Sequence, residues 1–264
     1  MLTAPDAADA AEYPYAVNLF YSNSSSDAAV GSCVGTLISP DWALTAASCV
    51  DGVGAVNLTL AVYSDYADAA LNAAEPCSEL ISAASVQVDS ADGVALVQLA
   101  SAPSCFGAAA GPAAALLDDG ALASPAANQS AATLLGWGVA TAGSSSSPRL
   151  RIAAGTTWLA NETCAAYGLS GACALAGDGS VPCEGDAGAP LLVLSASGLV
   201  QVGVRTSLRG GCGAETTPDA YTLVADVRTF VETHVSGAAY ASYVHLSPPL
   251  SPPTPPAPPP PPPP

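Results

Sequence analysis

The 264-residue chain has no lysine, and all five of its cationic side chains are arginine. It carries 5 Lys+Arg against 22 Asp+Glu, so its formal net charge is −17 at pH 7. A surface this acidic repels nucleic acid and anionic membranes, which argues against both as partners. Only 10% of the residues are charged and 50% are hydrophobic, which argues against charge-driven disorder and provides for a sizeable core. The cations are Arg149, Arg151, Arg205, Arg209 and Arg228.

Three further features are missing from the sequence. The most apolar run, residues 189–204, is broken by proline, serine, glycine and glutamine, so no transmembrane helix is expected. The first residues, MLTAPD, contain neither the basic segment nor the apolar stretch of a signal peptide. No C-x-x-C pair occurs, so we expect neither a metal site nor a cofactor.

The features that are present indicate an oxidising environment outside the cell. The chain has 8 cysteines, an even number, together with four N-x-S/T sequons. Paired cysteines and glycosylation acceptors are typical of secreted proteins, so we expect an extracellular location. The sequons begin at Asn23, Asn57, Asn128 and Asn161.

The chain divides into two regions of different composition. Between about residues 12 and 235, short apolar runs alternate with clusters of Gly, Ser, Asn, Asp and Pro, a pattern that favours an all-β barrel or sandwich. Apolar residues with helical spacing at positions 227–235 predict one helix, with Asp226 as its cap. Residues 247–264 are almost entirely proline and predict an extended polyproline II tail, either a stalk, spacer or binding segment or a linker to a further domain.

Within the first region, six short motifs follow one another in the order found in trypsin-like, chymotrypsin-family serine peptidases. They are EYPYAVNL at 12–19, GTLISPDWALTAASC at 35–49, GVALVQL at 93–99, GWG at 136–138, CEGDAGAPL at 183–191 and PDAYT at 218–222. The resemblance covers nearly the whole chain before the tail.

The resemblance implies a fold and a domain plan. The expected fold is all-β, with two packed six-stranded antiparallel β-barrels of the chymotrypsin/trypsin type and a short C-terminal helix. The peptidase-like domain would span 1–246, with barrels at about 13–112 and 113–225 and the closing helix at about 226–236. By position in the family, the disulfides would be Cys33–Cys49, Cys164–Cys173 and Cys183–Cys212, which leaves Cys77 with Cys105.

The catalytic positions of the family are altered in this sequence. Such peptidases need a histidine base, an aspartate that orients it and a serine nucleophile. The matching positions here are Ser48, Gly93 and Ala187, although a shift of one residue would place Asp92 at the aspartate position. A serine hydroxyl is too weak a base for this reaction and a methyl group cannot attack a carbonyl, so the resemblance implies a family member without its triad.

Other parts of the expected site are retained. Gly185 and Ala187 match the backbone positions of the oxyanion hole, and Asp186 matches the aspartate that pairs with a newly cut N-terminus in active relatives. No Arg or Lys precedes Leu2, the residue that aligns with that N-terminus, so no tryptic activation site is visible. Asp186 would then need another partner, because an unpaired buried carboxylate is costly.

The specificity pocket also differs from that of trypsin. Val181 matches its floor, so a basic substrate side chain would meet no countercharge there. Thr206 and Leu208 match its wall, and Leu208 is placed to fill the pocket, unless these residues form an irregular loop with no such role.

We therefore expect a catalytically inactive peptidase homologue, secreted or held in a matrix, that binds a protein or peptide partner as a monomer. One alternative is a serine endopeptidase with a non-standard site that uses Ser48 or Asp92. The other is a structural matrix module in which the Pro-rich tail is the functional part.

Overall fold

The described part of the chain forms two closed antiparallel barrels, as the family resemblance implies. The structure, a computed structural model, describes residues 10–21, 31–65, 77–109, 111, 113–121, 131–138, 149–159, 161–169, 172–175, 183, 185–207 and 217–241.

The first barrel closes in the strand order β1-β2-β3-β6-β5-β4. Its strands are β1 (Ala16–Tyr21), β2 (Gly31–Ser39), β3 (Trp42–Ala46), β4 (Leu58–Val62), β5 (Glu79–Asp89) and β6 (Val94–Leu99). In β5, Ile81 and Ala83 are buried whereas Leu80 and Ser82 are exposed, because successive side chains point to opposite faces of a strand.

The second barrel closes in the order β11-β8-β9-β10-β13-β12, with β11 paired back to β12. Its strands are β8 (Ala131–Gly136), β9 (Arg151–Leu159), β10 (Ala172–Leu175), β11 (Pro190–Ser195), β12 (Gly198–Ser207) and β13 (Asp219–Leu223). Two short strands, β7 (Leu116–Asp118) and β14 (Tyr240–Ala241), extend this sheet in parallel beyond β12.

Two short α-helices complete the described structure, α1 (Asn161–Ala166) and α2 (Arg228–His234). The helix predicted near the C-terminus is therefore present, but Asp226 is not its cap. The N-cap is Val227, which makes no side-chain capping bond, and the Asp226 N–H bonds instead to the Leu223 carbonyl in the preceding turn.

The alanines at 113–115 precede β7 and are not helical in the structure, although alanine favours helix. Ala115 is buried there and donates to the Leu37 carbonyl, directly before β7. Tertiary packing against the first barrel overrides the weak intrinsic preference of alanine.

The apolar core joins the two barrels. One cluster combines Leu19 and Leu37 of the first barrel with Leu135, Trp137 and Leu192 of the second. The two barrels are therefore packed against each other through a shared apolar cluster.

Helix α2 also connects the two barrels. Its buried Val231 packs in a cluster with Trp42 and Leu44 of β3 and with Val204 of β12. The closing helix thus contacts the first barrel as well as the second.

Candidate active-site cleft

The Ala187 position is fixed against the first barrel by a short hydrogen-bond chain. The Val34 N–H donates to the Ala187 carbonyl at 2.8 Å, and the Thr45 hydroxyl donates to the Val34 carbonyl at 2.7 Å. Gly188 has φ +81°, and a Cβ on it would collide with the Val34 carbonyl oxygen and the Thr45 hydroxyl. Only glycine lets the two barrels approach so closely here.

Ser48 lies at the end of β3, in a short 3₁₀ helix formed by Ala47–Cys49. It is exposed, whereas Cys49 beside it is buried and disulfide-bonded to Cys33. The Ala47 N–H donates to the Gly93 carbonyl at 2.8 Å. Backbone bonding therefore brings the Ser48 and Gly93 positions together.

Gly93 faces the second barrel. Its φ is +71°, and a Cβ built on it would lie 3.6 Å from the Cβ and Cγ2 of Thr206. The Thr206 side chain, near the end of β12, is therefore the one that a side chain at position 93 would contact.

Asp92, the alternative carboxylate position, is exposed. Its carbonyl accepts a hydrogen bond from the Thr222 hydroxyl at 2.5 Å, and its N–H donates to Asp89 at 3.3 Å. These bonds hold the backbone of the turn between β5 and β6.

These bonds and close approaches show that the Ser48, Gly93 and Ala187 positions all lie near the contact between the two barrels. The side chains contributed there are a hydroxyl, a hydrogen atom and a methyl group. None of them is an imidazole or a carboxylate, the groups that would take or orient a proton in acyl transfer.

Asp186 is buried with 1% of its surface exposed, and its partners are backbone N–H groups. Gly138 donates to its Oδ1 at 2.7 Å and Cys183 donates to its Oδ2 at 3.0 Å. A Cβ on Gly136 or Gly138 would collide with the carboxylate. The two glycines of the GWG motif therefore let the backbone come close enough to hydrogen-bond the Asp186 carboxylate.

Burial raises the pKa of the Asp186 carboxyl above its ordinary 3.8. The charge of Arg205, the two backbone hydrogen bonds and the charge of Arg151 offset part of that rise. Desolvation is the larger effect because the side chain has left water completely.

Sequence reasoning missed a buried ion pair between Arg205 and Asp219, on the strands next to the Ala187 segment. Arg205 of β12 is 1% exposed, and its Nε lies 3.1 Å from Oδ2 of Asp219 on β13. Its Nη1 also donates to the Cys183 carbonyl at 3.2 Å. Residues 200–205 read V-Q-V-G-V-R, an alternation that is typical of a strand with one solvent-exposed face. The pattern therefore predicts that the Arg205 side chain is exposed to solvent.

Three of the predicted disulfides are present: Cys33–Cys49, Cys77–Cys105 and Cys164–Cys173. Cys183 is also disulfide-bonded. Its predicted partner, Cys212, lies outside the described residues. Disulfides of this number are characteristic of oxidising compartments.

The remaining predicted positions and the two histidines of the chain lie partly inside and partly outside the described residues. Asn57 is exposed just before β4, and Asn161 is the first residue of α1. His234 lies on α2 with its Nδ1 2.9 Å from the Phe230 carbonyl oxygen, within its own helix. The positions that lie outside are Val181, Leu208, Asn23, Asn128, His245 and the tail 247–264.

Two other kinds of feature are absent from the described part of the chain. No group of three or more His, Cys, Asp or Glu side chains there is arranged to hold a metal ion. None of the helices described is both long and apolar enough to cross a membrane.

Comparison with known proteins agrees with the fold and the motifs. The Trypsin family model matches residues 4–231. The chain therefore belongs to the trypsin family of serine peptidases. A curated relative, trypsin beta of Drosophila erecta, is 38% identical over 113 residues, which are 40% of this chain and 42% of the relative. The match thus spans less than half the length of that relative.

Proposed function

We propose that this protein is a catalytically inactive member of the trypsin family that acts as a secreted or matrix-associated binding or regulatory module. One observation carries the proposal: the three positions that match the family's triad hold Ser48, Gly93 and Ala187. In peptidases that use a serine-histidine-aspartate triad, loss of nucleophile or base removes on the order of 10⁶ in kcat.

The scaffold around those positions supports binding without cleavage. Gly185 has φ +90° and Gly188 has φ +81°, backbone conformations that favour glycine, and the Ala187 carbonyl is bonded to β2. A cleft held in this way can accept an extended peptide through backbone hydrogen bonds, because strand-like recognition does not require a nucleophile.

The partner we propose is a protein or peptide. With a net charge of −17, the chain would attract a basic partner and repel nucleic acid. Secretion is supported by the three disulfides and by the exposed sequon residue Asn57. We propose a monomer that needs no cofactor.

The test is hydrolysis and active-site labelling of the full chain, produced through a secretory host so that disulfides form. We expect no cleavage of a broad peptide library and no labelled serine with a fluorophosphonate probe, while circular dichroism shows a folded β-protein. A fluorophosphonate adduct mapped to Ser48, together with cleavage lost in Ser48→Ala, would replace this proposal with the non-standard endopeptidase.

A second experiment separates the binding module from the structural matrix module. The full chain and a variant lacking residues 247–264 would be compared for partner capture and for retention in an extracellular matrix. We expect the shortened chain to keep its partner. Matrix retention that depends on the tail, without any partner bound by the barrels, would favour the structural role.

A further inference from the structure

Arg205 is the only buried cation in the part of the chain that the structure describes. An arginine cannot lose its charge by deprotonation, so burying it requires partners of opposite charge or strong acceptors. Asp219 at 3.1 Å supplies the charge and the Cys183 carbonyl at 3.2 Å supplies an acceptor.

The backbone of Arg205 is bound to the same segment that carries the altered nucleophile position. The Gly188 N–H donates to the Arg205 carbonyl and the Arg205 N–H donates to the Ala189 carbonyl, both at 2.9 Å. Thr206, the next residue, borders Gly93. The ion pair is therefore joined by backbone bonds to the segment next to Ala187, and Arg205 adjoins Thr206, a predicted specificity-pocket position.

Two buried polar atoms at Arg205 and its neighbour Tyr221 lack hydrogen-bond partners among the described residues. Tyr221 stands opposite Arg205 in the β12–β13 register, so the two side chains share one face of the sheet. The Tyr221 hydroxyl and Arg205 Nη2 are both buried without a hydrogen-bond partner among the described residues. Leaving such donors unsatisfied is costly, and buried groups of this kind point to a functional constraint.

We propose that Asp219, the Cys183 carbonyl and Tyr221 form a guanidinium-binding site beside Thr206, and that the chain's own Arg205 side chain occupies it in place of a basic side chain from outside. The inference goes beyond the proposed function, because a filled site excludes a ligand side chain whether or not the cleft can cut. A bound peptide would then contact the cleft without inserting a side chain there.

The proposal predicts a latent site for alkylguanidinium ions. Arg205→Ala on the full chain removes the atoms of an ethylguanidinium ion and leaves the Asp219 carboxylate facing the vacated space. We expect ethylguanidinium to bind Arg205→Ala at least about tenfold more tightly than the wild type in isothermal titration, a difference of about 1.4 kcal/mol.

Three controls make the result specific. Arg228→Ala removes an exposed arginine that pairs with Glu232 at 2.7 Å, and it should gain no affinity. Arg205→Ala combined with Asp219→Asn should lose the gain, because the carboxylate is gone. Ethylammonium should bind Arg205→Ala more weakly than ethylguanidinium, since it lacks the planar donors of Arg205.

Equal affinity of wild type and Arg205→Ala, or of Arg205→Ala with and without Asp219→Asn, would overturn the proposal. If Arg205→Ala does not fold alone, it is refolded with ethylguanidinium. Recovery of the near-ultraviolet circular dichroism supports the site, and no recovery rejects it. These measurements detect binding and not hydrolysis, so their failure is distinguishable from failure of the proposed inactivity.

Discussion

The backbone N–H of Gly138 donates a 2.7 Å hydrogen bond to the Asp186 carboxylate, 48 residues later in the chain. The approach is so close that a Cβ on Gly138 would overlap both carboxylate oxygens. Asp186 cannot move aside without losing its bond from Cys183 as well. The glycine and the carboxylate therefore depend on each other.

Gly138→Ala should destabilise the protein by about 1–3 kcal/mol, as overpacking does at buried sites. The measurement is urea unfolding followed by tryptophan fluorescence. Gly54→Ala is the matched control, because Gly54 is exposed and its nearest side-chain atom would be Val56 Cγ2 at 3.8 Å. Equal stability of the two variants would contradict the close approach.

The Asp186 carboxyl should make the free energy of unfolding decrease as the pH rises. Burial raises the pKa of its carboxyl in the folded state, so between the unfolded pKa of about 3.9 and the raised folded pKa the native state holds the proton more tightly. Its contribution is therefore fully present below about pH 4 and is lost as pH rises through the folded pKa. The charged groups that act on it are Arg205 and Arg151.

Asp186→Asn removes this titration and serves as the comparison. The free energy of unfolding, measured in urea at pH 4 and pH 7, should decline more for the wild type than for Asp186→Asn. Identical declines would show that the carboxyl has the same pKa in the folded and unfolded chains.

The Cys33–Cys49 disulfide should stabilise the first barrel by constraining the unfolded chain. Its sequence separation is 16, for which the chain-entropy relation gives about 3 kcal/mol. Replacing both cysteines with alanine should lower the free energy of unfolding in urea by about that amount. A loss well under 1 kcal/mol would mean that the buried cluster around Cys49 already orders this loop.

Restoring the triad side chains should only partly restore the reactivity of the site towards a fluorophosphonate probe. Ser48→His with Ala187→Ser should gain fluorophosphonate labelling, because the backbone around both positions is held in place. Adding Gly93→Asp should accelerate labelling by less than the roughly 10⁴ that an orienting aspartate supplies elsewhere. The reason is that Gly93 has φ +71°, a conformation that costs L-residues about 1–2 kcal/mol.

The labelling rates of the double and triple variants measure that difference directly. Ala187→Ser alone is the control and should stay unlabelled, since it has no base. A full 10⁴-fold gain in the triple variant would show that the backbone at Gly93 readily adopts the orientation an aspartate needs.

Much of the fold could be predicted from the sequence because its signals are local. The motif at 93–99 contains β6, and the apolar run at 189–204 contains β11 and much of β12. Strand β10, Ala172–Leu175, gave no such signal, since it is short and half alanine. Its pairing with β9 and β13 makes it a strand.

The candidate site was predictable where it depends on residue identity and not where it depends on neighbours. The absence of base and nucleophile can be read from Ser48 and Ala187 directly. The Asp186 partners could not be read, because the Gly138 N–H reaches it across 48 residues of chain. The cap of α2 was also decided by geometry, which placed Val227 rather than Asp226 at the helix start.

The sequence by itself determined which chemical groups this protein can bring to its cleft, because a side chain's chemistry is fixed when the residue is chosen. Only the tertiary structure decided that Arg205 is buried. Alternation along β12 assigns it to water, but closure of the second barrel and the segment at Cys183 cover that face. A guanidinium taken out of water must find a counterion, and the pairing of β12 with β13 provides Asp219.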